Sequence, residues 1–106
     1  MARLARPIRA ATLRSAAAVI KCLGHPLRLR LLEAMESGEK TVSELQEYAR
    51  ATQAGVSEQL AILRGRGVVG PRREGSFVYY RILEPKVTQI LSCIRSCDVL
   101  PRRAAR

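Results

Sequence analysis

The stretch from Thr41 to Arg64, TVSELQEYARATQAGVSEQLAILR, constrains this chain more than any other. It reads as two short helices joined by a tight turn. Thr41 stands three residues before Glu44, the spacing of a capping box, in which each side chain satisfies the other residue's backbone amide. The second helix begins near Thr52, a good N-cap residue. Val56, Leu60 and Leu63 recur at i, i+4 and i+7 and therefore share one face. Gln53, Ser57 and Arg64 fall on one flank of that stripe, with Ala54, Glu58 and Ala61 roughly opposite it. A helix packed on one side, with small or amide-bearing side chains on the other, can enter the major groove of DNA. An ordinary helical hairpin has the same periodicity, so the flanking segments have to separate the two.

Upstream, residues 1 to 9 form a basic arm with Arg3, Arg6, Arg9 and Pro7. A first helix is expected over about Ala10 to Leu23, with Leu13, Ala16, Ala17, Ile20 and Leu23 as its apolar stripe. Gly24 ends it. Pro26, at the first helical position, starts a second helix reaching about Ser37, with Leu27, Leu31, Ala34 and Met35 turned inward. His25, the one His in the chain, is read as a boundary residue between helices rather than a metal ligand. Gly38 to Lys40 is a loop. Downstream, Gly65 and Gly67 stop the second helix of the unit. Val68 to Arg73 reads as a short strand whose Gly70 and Pro71 suit an edge, Glu74-Gly75 as a hairpin turn, and Ser76 to Ile82 as the returning strand. Arg72 and Arg73 sit beside that turn, and Arg81 follows the aromatics. A hairpin with arginines near its tip, placed after a helix-turn-helix, is a winged helix whose tip can reach phosphates or the minor groove. A final helix spans about residues 85 to 99 with the stripe Val87, Ile90, Leu91 and Ile94, and the tail from 101 to 106 is basic. The fold class is therefore mainly α with a β-hairpin wing: an arm at 1–9, one winged helix-turn-helix domain at 10–100, and a tail at 101–106.

Charge points the same way. Lys and Arg number 19 against nine Asp and Glu, a net +10, and the cations are mostly Arg. A small domain so basic favours a polyanion, most commonly nucleic acid, and Arg suits phosphate and base-edge recognition better than Lys. A chain of 106 residues makes one domain with a modest core that dimerisation would enlarge. No apolar run approaches the roughly 20 residues of a membrane span. The Arg- and Ala-rich start has some character of an organelle transit peptide, but it runs directly into a helix the fold needs. No secretory leader is evident, and in a reducing cytosol the three Cys residues are expected to be thiols. An enzyme is excluded on inventory, with one His, no phosphate loop and no nucleophile motif.

The segments VIKCLGHPLRLRLLEAM, TVSELQEYARATQAGVSEQLAILRGRGVV and RREGSFVYYRI, followed by a closing helix, resemble the ArsR/SmtB family of bacterial sensor repressors over roughly residues 12 to 97. The resemblance implies a winged-helix homodimer with the first and last helices at its interface. It also implies binding to an inverted-repeat operator that an inducer weakens. On this resemblance the recognition positions are Gln53, Ala54, Ser57 and Glu58, flanked by Arg64, and the wing contacts are Arg72, Arg73 and Ser76. Glu58 departs from the His, Arg or Gln often found there; a carboxylate accepts from cytosine N4 but repels phosphate.

The family's inducer sites are modular. The arsenic-sensing Cys pair at the start of the helix-turn-helix is missing, since Lys40, Thr41 and Val42 stand there, and the zinc-type site fails because the closing helix has no His. What remains is Cys22, Cys93 and Cys97. Cys93 and Cys97 are four apart and share a helix face. If the first and last helices pack together, all three thiols can converge, within a subunit or across a dimer. Three thiolates suit As(III) or another thiophilic ion, with no obligatory cofactor. Alternatively, a thiol pair is oxidised to a disulfide or polysulfide bridge. Cβ atoms at i and i+4 stand about 5–6 Å apart, whereas a disulfide wants about 3.8 Å. An atom bridging both sulfurs therefore fits the helix better than a direct bond. Sulfur-sensing relatives carry a Cys near the end of the second helix, where this chain has Glu33. Two further readings stand beside these: a DNA-binding winged helix whose cysteines only pack, and a winged-helix protein adaptor.

Overall fold

The computed structural model describes residues 5–96, arranged as α1 (Ala10–Leu23), α2 (Pro26–Met35), α3 (Val42–Ala49), α4 (Gln53–Gly65), β1 (Val69–Glu74), β2 (Phe77–Ile82) and α5 (Lys86–Ser96). The last turn expected of the closing helix, Cys97 and the basic tail lie outside the described residues, as do residues 1–4 of the arm.

Each helix start follows from a local side chain. Pro26 opens α2, and His25 caps it: its Nδ1 accepts from the Leu27 amide at 3.2 Å. His25 is thus the boundary residue its position suggests. At α3 the capping box is complete. The Glu44 amide donates to Thr41 Oγ1 at 3.2 Å, and the Thr41 amide donates to Glu44 Oε1 at 2.8 Å. Thr52 Oγ1 accepts from the Gly55 amide at 3.0 Å and begins α4. Between the two helices Arg50 takes a left-handed conformation (φ 54°, ψ 51°), which turns the chain without a glycine.

The core gathers around α2, which packs against α1, α3, α4, α5 and β2. Leu31, Leu32, Ala34 and Met35 of α2 are buried, joined by Leu45 of α3, by Val56, Leu60 and Leu63 of α4, by Val68 and Val69, and by Val87 and Leu91 of α5. Leu27, expected inward, is only half-buried, and Leu32 takes its share. The α2 helix ends at Met35, two residues earlier than its pattern suggests, and Arg95 on α5 reaches back to Glu36 at its end, Nη2 to Oε1 2.6 Å.

The wing is a two-stranded antiparallel sheet in which Val69 pairs with Ile82 and Glu74 with Phe77. The turn is therefore Gly75-Ser76, one residue later than Glu74-Gly75. Gly75 takes φ 62° at the first turn position, where a side chain would be strained. Lys40 adds a bridge on the far side of β2, its amide and carbonyl paired with those of Tyr80 at 3.0 and 2.8 Å. Because Tyr80 turns both backbone groups toward Lys40, its pairing with Pro71 on β1 carries no ladder hydrogen bond. Pro71, which has no N–H, is accommodated there, and the position where its N–H would stand faces the outer edge.

The α1 helix differs from the rest. Only its C-terminal end, Cys22 and Leu23, is buried; Leu13 is 51% exposed and Ile20 63%. A groove lined by Thr12, Ala16, Val19 and Ile20 of α1 and by Lys86 and Ile90 of α5 runs along the same side. The apolar stripe of α1 is present as its periodicity suggests, but one subunit does not cover it.

Candidate nucleic-acid interface

Burial of Val56, Leu60 and Leu63 fixes which side of α4 faces out. Gln53, Ala54, Ser57, Glu58, Ala61 and Arg64 are all exposed along it. Ser57, Ala61 and Arg64 also border a recess that ends at Tyr80 of the wing, so helix and hairpin form one continuous surface. Arg66 and Arg73 are exposed, as are the acids Glu58 and Glu74. An exposed helix edge beside a basic hairpin is the shape that fits a major groove with its flanking phosphates.

The wing arginines are not equivalent. Arg72 Nε donates to both carboxylate oxygens of Glu39, at 2.8 and 3.0 Å, and Nη1 donates to Glu74 Oε1 at 2.9 Å. Its guanidinium lies 5.0 Å from the centre of the Tyr79 ring. The hydrogen bond from Arg72 holds the Glu39 carboxyl below the usual carboxylate range, and hydrogen bonds to Glu39 and then Glu74 raise Arg72. Arg72, expected as a free phosphate contact, is thus committed to two carboxylates. Arg73, next along the strand and so on the opposite face, makes no ion pair among the described residues. Ser76 is exposed in the turn itself.

Two residues that the sequence reading passed over link α4 to the body. Gln59 lies on the buried side of α4 and is 8% exposed, the one buried polar residue among those described. Its Oε1 accepts from Arg28 Nε at 2.7 Å, and Arg28 Nη1 donates to the Cys22 carbonyl at 2.7 Å. The signal was a polar residue three positions after Val56, interrupting an apolar face. Glu39 left no such trace, because it lies 33 residues from the arginine it holds.

The two described thiols occupy different surroundings. Cys22 is buried, 5% exposed, in the last turn of α1, whereas Cys93 is exposed on α5; neither is in a disulfide. Among the described residues no three His, Cys, Asp or Glu side chains gather into a metal-holding set. Glu33 borders a recess between α2 and α5 with Arg30, Leu91 and Arg95, and pairs with Arg30 at 2.5 Å.

Known proteins share this architecture. The sequence model for bacterial regulatory proteins of the arsR family matches residues 25–70. A biofilm growth-associated repressor of Agrobacterium fabrum is 36% identical over 85 residues, 80% of this chain and 73% of that protein. The chain belongs to the ArsR family. Two solved structures of this kind superpose on it: reduced HlyU from Vibrio cholerae, with a TM-score of 0.75 at 26% identity over 83% of this chain and 95% of that one, and a Mycobacterium bovis domain. The latter, described as a homodimeric winged helix-turn-helix DNA-binding domain, gives a TM-score of 0.71 at 31% identity over 81% of this chain and 80% of that one. The ArsR-family chain is accordingly a winged helix-turn-helix transcriptional repressor and not an enzyme, and no described helix is long and apolar enough to cross a membrane.

Proposed function

We propose that this repressor binds an inverted-repeat operator as a homodimer in the bacterial cytoplasm, and that thiol chemistry at the α1–α5 seam weakens the complex. Two α4 helices related by a two-fold axis would enter successive major grooves about 34 Å apart. Gln53, Ala54, Ser57, Glu58 and Arg64 face the bases and their borders, while Arg73 and Ser76 of the wing meet phosphates. The uncovered stripe of α1 supports the dimer, because a second copy offers the same stripe in return.

The observation that carries the sensing reading is Cys93, a thiol exposed on the helix that borders α1. Cys97, outside the described residues, follows four positions on in the sequence, the helical spacing at which a bridging atom would join two sulfurs. As(III) or another thiophilic ion held by this pair, with Cys22 as third ligand, would displace thiol protons and tighten α1 against α5. A second reading draws support from the structural neighbour described as reduced HlyU. Here two thiols lose two protons and two electrons, either to peroxide, giving a disulfide and two waters, or to a polysulfide that inserts one sulfane sulfur between them while a second is reduced and leaves as hydrogen sulfide.

A labelled duplex selected from random sequence by the protein itself allows both to be measured. Arsenite, zinc, peroxide and polysulfide are titrated against the complex, with intact mass recorded at each end point. An arsenic adduct with release favours the first reading, and a loss of two hydrogens or a gain of sulfur favours the second. Release that is unchanged in both Cys93→Ser and Cys97→Ser rejects thiol control, and no response to any of the four leaves a repressor whose cysteines only pack.

A further inference from the structure

One polar side chain bridges α1, α2 and α4. Arg28, half-buried on α2, spends two donors of one rigid guanidinium on two other elements: the Cys22 carbonyl in the last turn of α1 and the Gln59 amide oxygen on the buried side of α4. A carbonyl in the last turn of a helix has no donor within that helix, so Arg28 supplies one. Gln59 lies in the core-facing stripe, where an unpaired amide is costly. A planar guanidinium presents its donors at fixed angles, so satisfying both acceptors at once fixes α4 about its own axis relative to the end of α1. Gln59 directly follows Ser57 and Glu58 on the helix. Whatever sets its rotation also sets how those two side chains stand toward the groove.

We propose that Arg28 is a specificity-determining positioning residue: without touching DNA, it sets the rotation of the recognition helix through Gln59 and ties that setting to the α1 terminus at Cys22. The inference rests on α4 being the helix that reads DNA. A hydrocarbon at position 28 would leave α4 packed by Val56, Leu60 and Leu63, all buried, but apolar packing alone is not directional. The loss should therefore fall on discrimination between sequences rather than on grip.

The test uses the full chain, a duplex recovered by wild-type selection from random sequence, and a scrambled duplex of equal length. Arg28→Met should lower the ratio of selected to scrambled affinity at least tenfold, while affinity for the scrambled duplex and its salt dependence stay at the wild-type level. Gln59→Met should reproduce that fall, and the double variant should fall no further, as expected for two ends of one contact. Arg28→Lys, a single point donor, should sit with Met rather than with wild type. An unchanged ratio in Gln59→Met overturns the proposal, and so do losses that multiply in the double variant. A salt slope reduced by about one would instead make Arg28 a direct phosphate contact and overturn it too. Should Arg28→Met fail to unfold cooperatively, Gln59→Met alone decides by the same ratio. Glu58→Gln in the otherwise unchanged protein tests the underlying reading separately: no change in the selected base preference means that α4 is not the reading helix.

Discussion

Arg72 is held by two carboxylates and an aromatic ring, and this decides what it can offer a phosphate. To reach DNA it must leave Glu39, and the carboxylate left behind would repel the same phosphate. Glu39→Gln should therefore strengthen binding to any duplex and steepen its salt dependence by about one charge, measured by anisotropy across a salt series. An unchanged slope would place Arg72 away from the backbone. The pH dependence has a definite sign. Glu39 ionises below its ordinary 4.5 because Arg72 donates to it, so its contribution is complete above that value and is lost as pH falls through the lower folded-state pKa. The wing tether should be constant between pH 5 and 8. At this scale the sequence was only partly legible. Outward positions such as Ser57 and Glu58 follow from periodicity, because burial at Val56, Leu60 and Leu63, a spacing of four and then three, fixes the opposite face. Pairs such as Arg72–Glu39 and Arg28–Gln59 depend on how separate elements meet, which no local spacing encodes.

Caps decide where these helices start. Thr41 and Thr52 each satisfy a backbone amide that has no partner in its helix. Thr41→Ala and Thr52→Ala should each cost about 1 kcal/mol of stability, read from denaturant midpoints at unchanged slope. Thr52→Ala should also weaken specific DNA binding, since it loosens the first turn of α4, where Gln53 and Ala54 lie. These starts were legible because an N-cap and its helix are neighbours in sequence. The end of α3 was not. Arg50 adopts a left-handed conformation that usually announces itself with glycine, and the Ala51 amide closes the helix on the Gln46 carbonyl at 3.2 Å. The hairpin was one residue out for a related reason: Glu74-Gly75 and Gly75-Ser76 both contain the glycine, and only the pairing of Glu74 with Phe77 chooses between them.

The whole molecule leaves one side unfinished. Ile20 and Leu13 stand exposed seven residues apart on one stripe of α1. Ile20→Glu should give a monomer by sedimentation with helix content preserved, and its affinity for a two-half-site duplex should fall to that for a single half-site. A dimer that survives the change would place the interface elsewhere. The stripe was legible in the sequence; its cover was not, because among the described residues none packs over Leu13 and Ile20. The outer strand of the wing has the opposite property. Pro71 removes a donor halfway along its outward edge, so a neighbouring hairpin arriving there finds a gap where a ladder would need to start. Such chains can sit side by side on closely spaced sites along one duplex without their wings zipping together into a growing sheet. Crowding on the nucleic acid then remains reversible, and each copy can leave its site independently of the next.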